Sequence, residues 1–217
     1  MTEKTVIIIP ARYASSRFEG KPLALLTGAT GVARSLIQRS WDTACEVPGV
    51  DDIFVATDND RIAQAVRDFG GQVIMTSDTC RNGTERVAEA LQGLAAPADI
   101  VVNLQGDAPL TPPWFITGLI EEMKRDREVE MATPVLQCDG HTLNMFIEDR
   151  RNGQVGGTTA VFDRNWDALY FSKEVLPFTD KPYAADAGTP VYHHVGAYAY
   201  RPKTLGQYVN WPEGALE

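Results

Sequence analysis

The sequence predicts an α/β protein with a mostly parallel sheet, helices on both faces and an irregular α+β excursion. Short apolar runs alternate with amphipathic ones through the first half of the chain, which is the pattern of βαβ units. The apolar runs are continuous rather than alternating, as in strands buried on both faces. Polar clusters follow those runs: PARYASSR after the first, TDND after the second, QGDAP after the fourth. Ligands of parallel sheets sit at such carboxyl ends.

The elements follow in order. Val6–Ile9 is a β-branched run and reads as a strand. Val32–Cys45 has helical spacing through Leu36, Ile37 and Trp41. Asp52–Asp58 is a second strand. Asp60–Gly70 is a short helix with Asp58 or Asn59 as its cap and Gly70 as its stop. Gln72–Thr76 is a third strand, Gly83–Leu94 a helix, and Asp99–Asp107 a fourth strand. A helix follows that opens on Pro112 and Pro113, residues well placed at a helix start. Beyond residue 128 the texture changes. VEMATPVLQCD, TTAVFD, DALYFSK and YHHVGAYAYR read as strands or strand fragments. Gly140–Gly157 carries many turn formers and weak periodicity, so it reads as a loop or excursion. Pro202–Asn210 reads as a short helix. The chain therefore divides into a nucleotide-binding part, 1–128, and a sugar-binding and dimerisation part of the same domain, 129–217, both functional labels resting on the resemblance described below.

The chain has 217 residues and a formal net charge of −9. That acidity argues against nucleic acid or an anionic membrane as partner, since both reward a positive field. Cys45, Cys80 and Cys138 show no C-x-x-C or zinc-finger spacing. Unpaired cysteines fit a reducing cytoplasm. MTEKTV lacks an apolar core, so it is no secretory signal, and no apolar run is long enough to span a bilayer.

Arg12, Ser15, Ser16, Arg17, Gly20 and Lys21 share the loop after the first strand. Pro22 follows Lys21 and Ser15 replaces the first glycine, so this is not a Walker A loop. The loop reads either as a triphosphate clamp, with guanidinium forks and a point charge, or as a solvated basic loop. Asp107 either holds a divalent metal on a phosphate or caps the next turn. Gly83 and Thr84 open a helix whose N–H groups can meet an anion or a base edge, or form an ordinary capping turn. His193 and His194 point to opposite faces of a strand and make a poor metal pair. Tyr198 and Tyr200 read as packing residues.

IIIPARYASSRFEGKPL, ATDND, GGQVIMTSDTCRNGTERVAEAL, VVNLQGDAPL, ALYFSKEVLPF and HHVGAYAYRPKTLGQYVNW occur together and in order. On these stretches the chain resembles the 3-deoxy-manno-octulosonate cytidylyltransferases over almost its whole length. The resemblance is weakest from Cys138 to Thr159. It implies a Rossmann-like nucleotidyltransferase sheet. The implied reaction joins CTP and an acid sugar to give the CMP-sugar and pyrophosphate, with Mg2+, for lipopolysaccharide or capsule synthesis. It also implies roles: Arg12 and Lys21 on the triphosphate, with Arg17 a weaker candidate. Pro10, Ala11, Gly83 and Thr84 would line the CTP site. Gln105 would lie at the nucleotide–sugar junction, Asp107 on the metal, and His194 and Tyr198 on the sugar. A homodimer is implied, with Met145, Phe146 and Ile147 as candidate contacts.

The chain departs from the family pattern at Ala108, where glutamate is usual, and at Thr158–Thr159, where a lysine usually stands. The residues WPEGALE read as continuing rather than closing a fold. The resemblance implies a further segment with a second acidic metal ligand, and weak or no turnover without it. Alternatives are a cytidylyltransferase for 8-amino-Kdo or a sialic-type sugar, and a non-catalytic nucleotide-binding homologue.

Overall fold

The continuous apolar run at the amino end becomes strand β1 (Thr5–Ala11), every residue of which is buried. Residues 3–14, 18–212 and 214 are described by the computed structural model. β1 lies between β4 (Asp52–Thr57) and β6 (Ile100–Leu104), parallel to both, and β5 (Val73–Met75) extends the sheet beyond β4. On the other side β12 (Ala197–Tyr200) runs antiparallel to β6, and β7 (Met131–Ala132) pairs with β12. The order is β5-β4-β1-β6-β12-β7, so the expected parallel strands do lie side by side.

Alternation along β1 shows why the run is apolar throughout. Ile7 and Ile9 pack with α1 (Leu36–Cys45), α2 (Asp60–Asp68) and α4 (Pro113–Arg125) through Ile37, Ile62, Val66, Ile116 and Met123. Val6 and Ile8 point the other way, to α3 (Gly83–Gln92) and α6 (Pro202–Tyr208) through Val87, Ala90 and Leu205. Removing one such side chain to alanine costs about 2–5 kcal/mol, since a cavity is left behind. β2 (Leu25–Thr27) and β3 (Ala33–Ser35) form a small hairpin.

The helix expected from Val32 starts at Leu36, because the Ser35 hydroxyl accepts from the Gln38 N–H and Ala33–Ser35 pairs with β2. Asn59 caps α2; Asp58 is instead engaged with Arg86.

By internal contacts the chain forms two units, 1–132 with 197–217, and 133–196. The sequence placed one change of texture at 128/129, whereas the structure leaves the first unit after β7 and returns to it at β12. Two stretches expected as single strands are divided at those crossings. VEMATPVLQCD splits at Thr133–Pro134 into β7 and β8 (Val135–Asp139). YHHVGAYAYR splits at Val195–Gly196 into β11 (Gly188–His194) and β12.

The second unit is an antiparallel sheet that also contains β9 (Thr159–Phe162) and β10 (Ala168–Ser172), in the order β10-β9-β11-β8. Helix α5 (Gly140–Arg151) occupies most of the stretch expected as a loop. Asp139 caps it by accepting from the Thr142 N–H at 2.7 Å. Leu143, Phe146 and Ile147 pack on Cys138 and Val191. That stripe is narrow because the unit's core is small, which is why the periodicity was weak. Phe146 and Ile147 thus face their own core, and only Met145 of the expected contact trio is exposed.

Candidate active site

Pairing between β1 and β6 stops at Ile8–Asn103. Just beyond that point the ends of both strands line a cavity of about 480 Å3. Pro10, Ala11 and Arg12 come from β1 and its end, Gln105, Gly106 and Asp107 from the end of β6. Lys21 and Pro22 of a 3-10 turn and the Cys80–Gly83 approach to α3 complete the rim. This volume is ordinary for a small-molecule site.

Local chemistry holds each wall in place. A Cβ on Gly106 would lie 2.7 Å from the Pro10 carbonyl oxygen, so only glycine lets the loop after β6 approach β1 this closely. The Ser40 hydroxyl donates to the Gly106 carbonyl at 3.1 Å and tethers that loop to α1. Gly83 brings the start of α3 against Pro10 and Gln105, where a Cβ would meet them at 3.2 and 3.4 Å. Gln105 donates to the Asn103 side chain at 2.9 Å. The Gly20 N–H donates to Tyr13 O at 2.9 Å and closes the base of the cationic loop.

The lining carries Arg12, Lys21, Arg81 and Arg86 against the single carboxylate of Asp107. Arg81 pairs with Glu85 and Arg86 with Asp58 behind the lining, so the charge left over at the cavity is that of Arg12. Lys21 and Asp107 pair at 2.6 Å, with side chains 41% and 52% exposed. Arg12 is exposed and has no ion-pair partner among the described residues. Arg86 is 3% exposed; its guanidinium donates to Asp58 at 2.8 Å, to the Thr76 hydroxyl and to the Ser77 carbonyl. Burial first, then a hydrogen bond to Glu89, pushes the Cys80 thiol up to about 11. Cys80 is therefore no thiolate nucleophile at neutral pH. The cavity can bind and orient an anion.

Among the residues marked by sequence, Pro10, Ala11, Arg12, Lys21, Gly83, Gln105 and Asp107 meet in this cavity. Thr84 is not among its lining. Tyr198 lies in β12 opposite Asn103. His194 belongs to the second unit, where its Nε2 and the Thr133 hydroxyl are 2.8 Å apart. Arg17, with Ser15 and Ser16, lies outside the described residues. Sequence reading missed Asn82 and Arg86. The signal for Arg86 was present in GTER, but nothing local says that an arginine on a helix turns into the wall.

Among the described residues no group of three or more His, Cys, Asp or Glu side chains gathers to hold a metal ion. Among the described lining residues Asp107 offers the carboxylate, which suits a cation completed by substrate oxygens and water.

A cavity lined by cationic side chains at the carboxyl ends of parallel strands suits a phosphate-bearing ligand, as in nucleotidyltransferases. The chain belongs to the cytidylyltransferase family, whose model matches residues 6–217. It is similar to the 3-deoxy-manno-octulosonate cytidylyltransferase of Maricaulis maris, 49% identical over 91% of this chain and 73% of that protein. It is also similar to the 8-amino-3,8-dideoxy-manno-octulosonate cytidylyltransferase of Shewanella halifaxensis, 39% identical over 97% and 80%. A solved structure of CMP:2-keto-3-deoxy-manno-octonic acid synthetase complexed with CTP superimposes with a TM-score of 0.81 at 35% identity, covering 98% of this chain and 80% of that one.

Proposed function

We propose that this chain transfers a cytidylyl group from CTP to 3-deoxy-manno-octulosonate, giving the CMP-sugar and pyrophosphate. The observation that carries the reading is the convergence of Arg12, Lys21, Gly83, Gln105 and Asp107 on one cavity at the carboxyl ends of β1 and β6. The anomeric hydroxyl oxygen bonds to the α-phosphorus, the bridge to the β-phosphate breaks, and pyrophosphate leaves with the electron pair. The hydroxyl proton passes to solvent. Such a displacement needs positioning and charge neutralisation rather than a protein nucleophile.

Arg12 and Lys21 bind the triphosphate. Lys21 exchanges Asp107 for phosphate oxygens, and Asp107 is the residue that would hold magnesium. Bound there, magnesium would neutralise phosphate charge as a Lewis acid. Pro10, Ala11 and Gly83 form the wall for the base and ribose, and Gln105 stands at the junction with the sugar. In the second unit, Lys173 donates to the Thr158 hydroxyl at 2.8 Å and lies near His193 and His194. That cationic group supports recognition of a sugar carboxylate, with His194 and Tyr198 as sugar contacts.

The free cysteines suit a reducing cytoplasm. No helix among the described residues is long and apolar enough to cross a membrane. We assign a homodimer built on β10, an edge strand that exposes Leu169, Tyr170 and Phe171. An apolar edge of that kind invites pairing with a second copy.

The test is pyrophosphate release with CTP and magnesium, run with 3-deoxy-manno-octulosonate and with its 8-amino counterpart. Turnover of the first sugar supports the reading. Preference for the second moves the chain to the other named activity among its relatives. CTP binding without pyrophosphate release would mark a non-catalytic homologue.

A further inference from the structure

Asparagine is out of character at position 103. β6 reads IVVNL, all five residues are buried, and Asn103 is 0% exposed. Its neighbours across the sheet are Ile8 of β1 and Tyr198 of β12. Val101, two residues earlier and so on the same face, belongs to the apolar cluster of Ile8, Val87 and Leu205. A carboxamide in that setting opposes folding unless its polar atoms are paired.

Asn103 is only half satisfied. Its Oδ1 accepts from Gln105 Nε2 at 2.9 Å, whereas its Nδ2 has no hydrogen-bond partner among the described residues. An apolar residue, as at the other four positions of β6, would leave no orphaned donor. The bond that Asn103 does make reaches the next residue on its own face, and that residue lines the cavity. No other hydrogen bond holds the Gln105 side chain among the described residues. Gly83 bounds the carboxamide on one side, but a Cβ there would lie 3.4 Å from Oε1 and 3.6 Å from Nε2, so that contact does not decide which atom points where. Asn103 does: with Nε2 turned to it, Oε1 is left as an acceptor.

We propose that Asn103 is a positioning residue for this site, holding the Gln105 carboxamide so that Oε1 stays available to a hydroxyl of the bound ligand. This deepens the cytidylyltransferase reading and rests on it for the ligand. The hydroxyl belongs to the ribose of CTP or to the acid sugar, which meet beside Gln105 in that reading. An untethered carboxamide would turn its N–H as often as its oxygen toward that hydroxyl. The orphaned Nδ2 then has a reason, since stability is given up for orientation.

The experiment compares Asn103→Leu, Asn103→Val, Gln105→Leu and the double variant Asn103→Leu/Gln105→Leu with the unaltered chain. Leucine keeps the branching of asparagine without its polar atoms, and valine does the same if leucine crowds the sheet. Urea midpoints read stability, calorimetry reads CTP affinity, and pyrophosphate release reads kcat and KM for the sugar. The Asn103 variants are expected to lower CTP affinity or raise the sugar's KM roughly three- to tenfold, the loss of one hydrogen bond, with the midpoint of at least one of them unchanged or raised. Loss in the CTP arm assigns the hydroxyl to the ribose, and loss confined to the sugar arm assigns it to the sugar. In the Gln105→Leu background, Asn103→Leu should add nothing further. A merely structural asparagine would give lowered midpoints in both variants and losses that add to those of Gln105→Leu. Unaltered CTP affinity and sugar KM would overturn the proposal. If the unaltered chain neither binds CTP nor releases pyrophosphate, the functional reading fails by itself, and NMR decides the tether. A Gln105 side-chain N–H shifted downfield, and moved back in Asn103→Leu, supports it; an unshifted one overturns it.

Discussion

Lys21 and Asp107 each serve as the other's counter-ion at the cavity mouth, 2.6 Å apart and half exposed. A solvated pair of this kind adds less than about 1 kcal/mol to stability. Its worth lies in being exchangeable, since a triphosphate can claim the lysine and a cation the carboxylate. Lys21→Ala should therefore leave the unfolding midpoint nearly unchanged while CTP affinity drops roughly ten- to a hundredfold, the range for a charge-assisted contact. Lys21→Arg should restore it only in part, because a planar fork does not replace a compact point charge. Asp107→Asn should keep CTP binding and lose magnesium-dependent pyrophosphate release; full turnover in that variant would place the metal elsewhere. The histidines of the second unit carry a pH prediction. Burial, then Lys173, holds His193 below its ordinary value; burial, then His193 and Lys173, does the same for His194. The folded form then binds fewer protons than the unfolded chain, so stability is complete above 6.5 and falls as pH drops below it. Urea midpoints measured across that window should show the fall, and His193→Gln should flatten it.

At the scale of elements, α3 is held from within the first unit by an ion pair that sequence alone did not suggest. Arg86 is 3% exposed and Asp58 15%, and the pair ties α3 to the end of β4. Breaking a buried pair leaves an uncompensated charge, so Arg86→Ala should cost about 3–5 kcal/mol in urea unfolding, far more than Lys21→Ala. Helices α2, α3 and α4 were legible because each has a wide apolar stripe or a plain start signal: Asn59, Gly83 and Pro113 stand where the structure has a cap or first residues. α5 was not legible, because its buried stripe is Leu143, Phe146 and Ile147 among polar neighbours. Its cap, Asp139, was visible in the sequence, but a lone Asp before a glycine signals a turn as readily as a helix.

For the whole molecule, the exposed apolar edge of β10 predicts self-association. Leu169 is 65% exposed on an edge strand, so Leu169→Glu should shift light-scattering mass from dimer to monomer without loss of fold; a monomer in the unaltered chain would remove the assignment. The parallel core and most of the cavity were written locally. A continuous β-branched run reads as a strand buried on both faces. The cationic loop with Arg12 and Lys21, and Asp107 at a strand end, stood out by residue type and position but left two readings open; the family resemblance chose between them and named Gln105. Only the tertiary structure decided that β12 and α6 return to the first unit, that Asn82 meets Tyr208, and that Arg86 meets Asp58. Those contacts join residues far apart in the chain, and no local pattern of hydrophobicity or capping carries information about a partner that folding alone brings near.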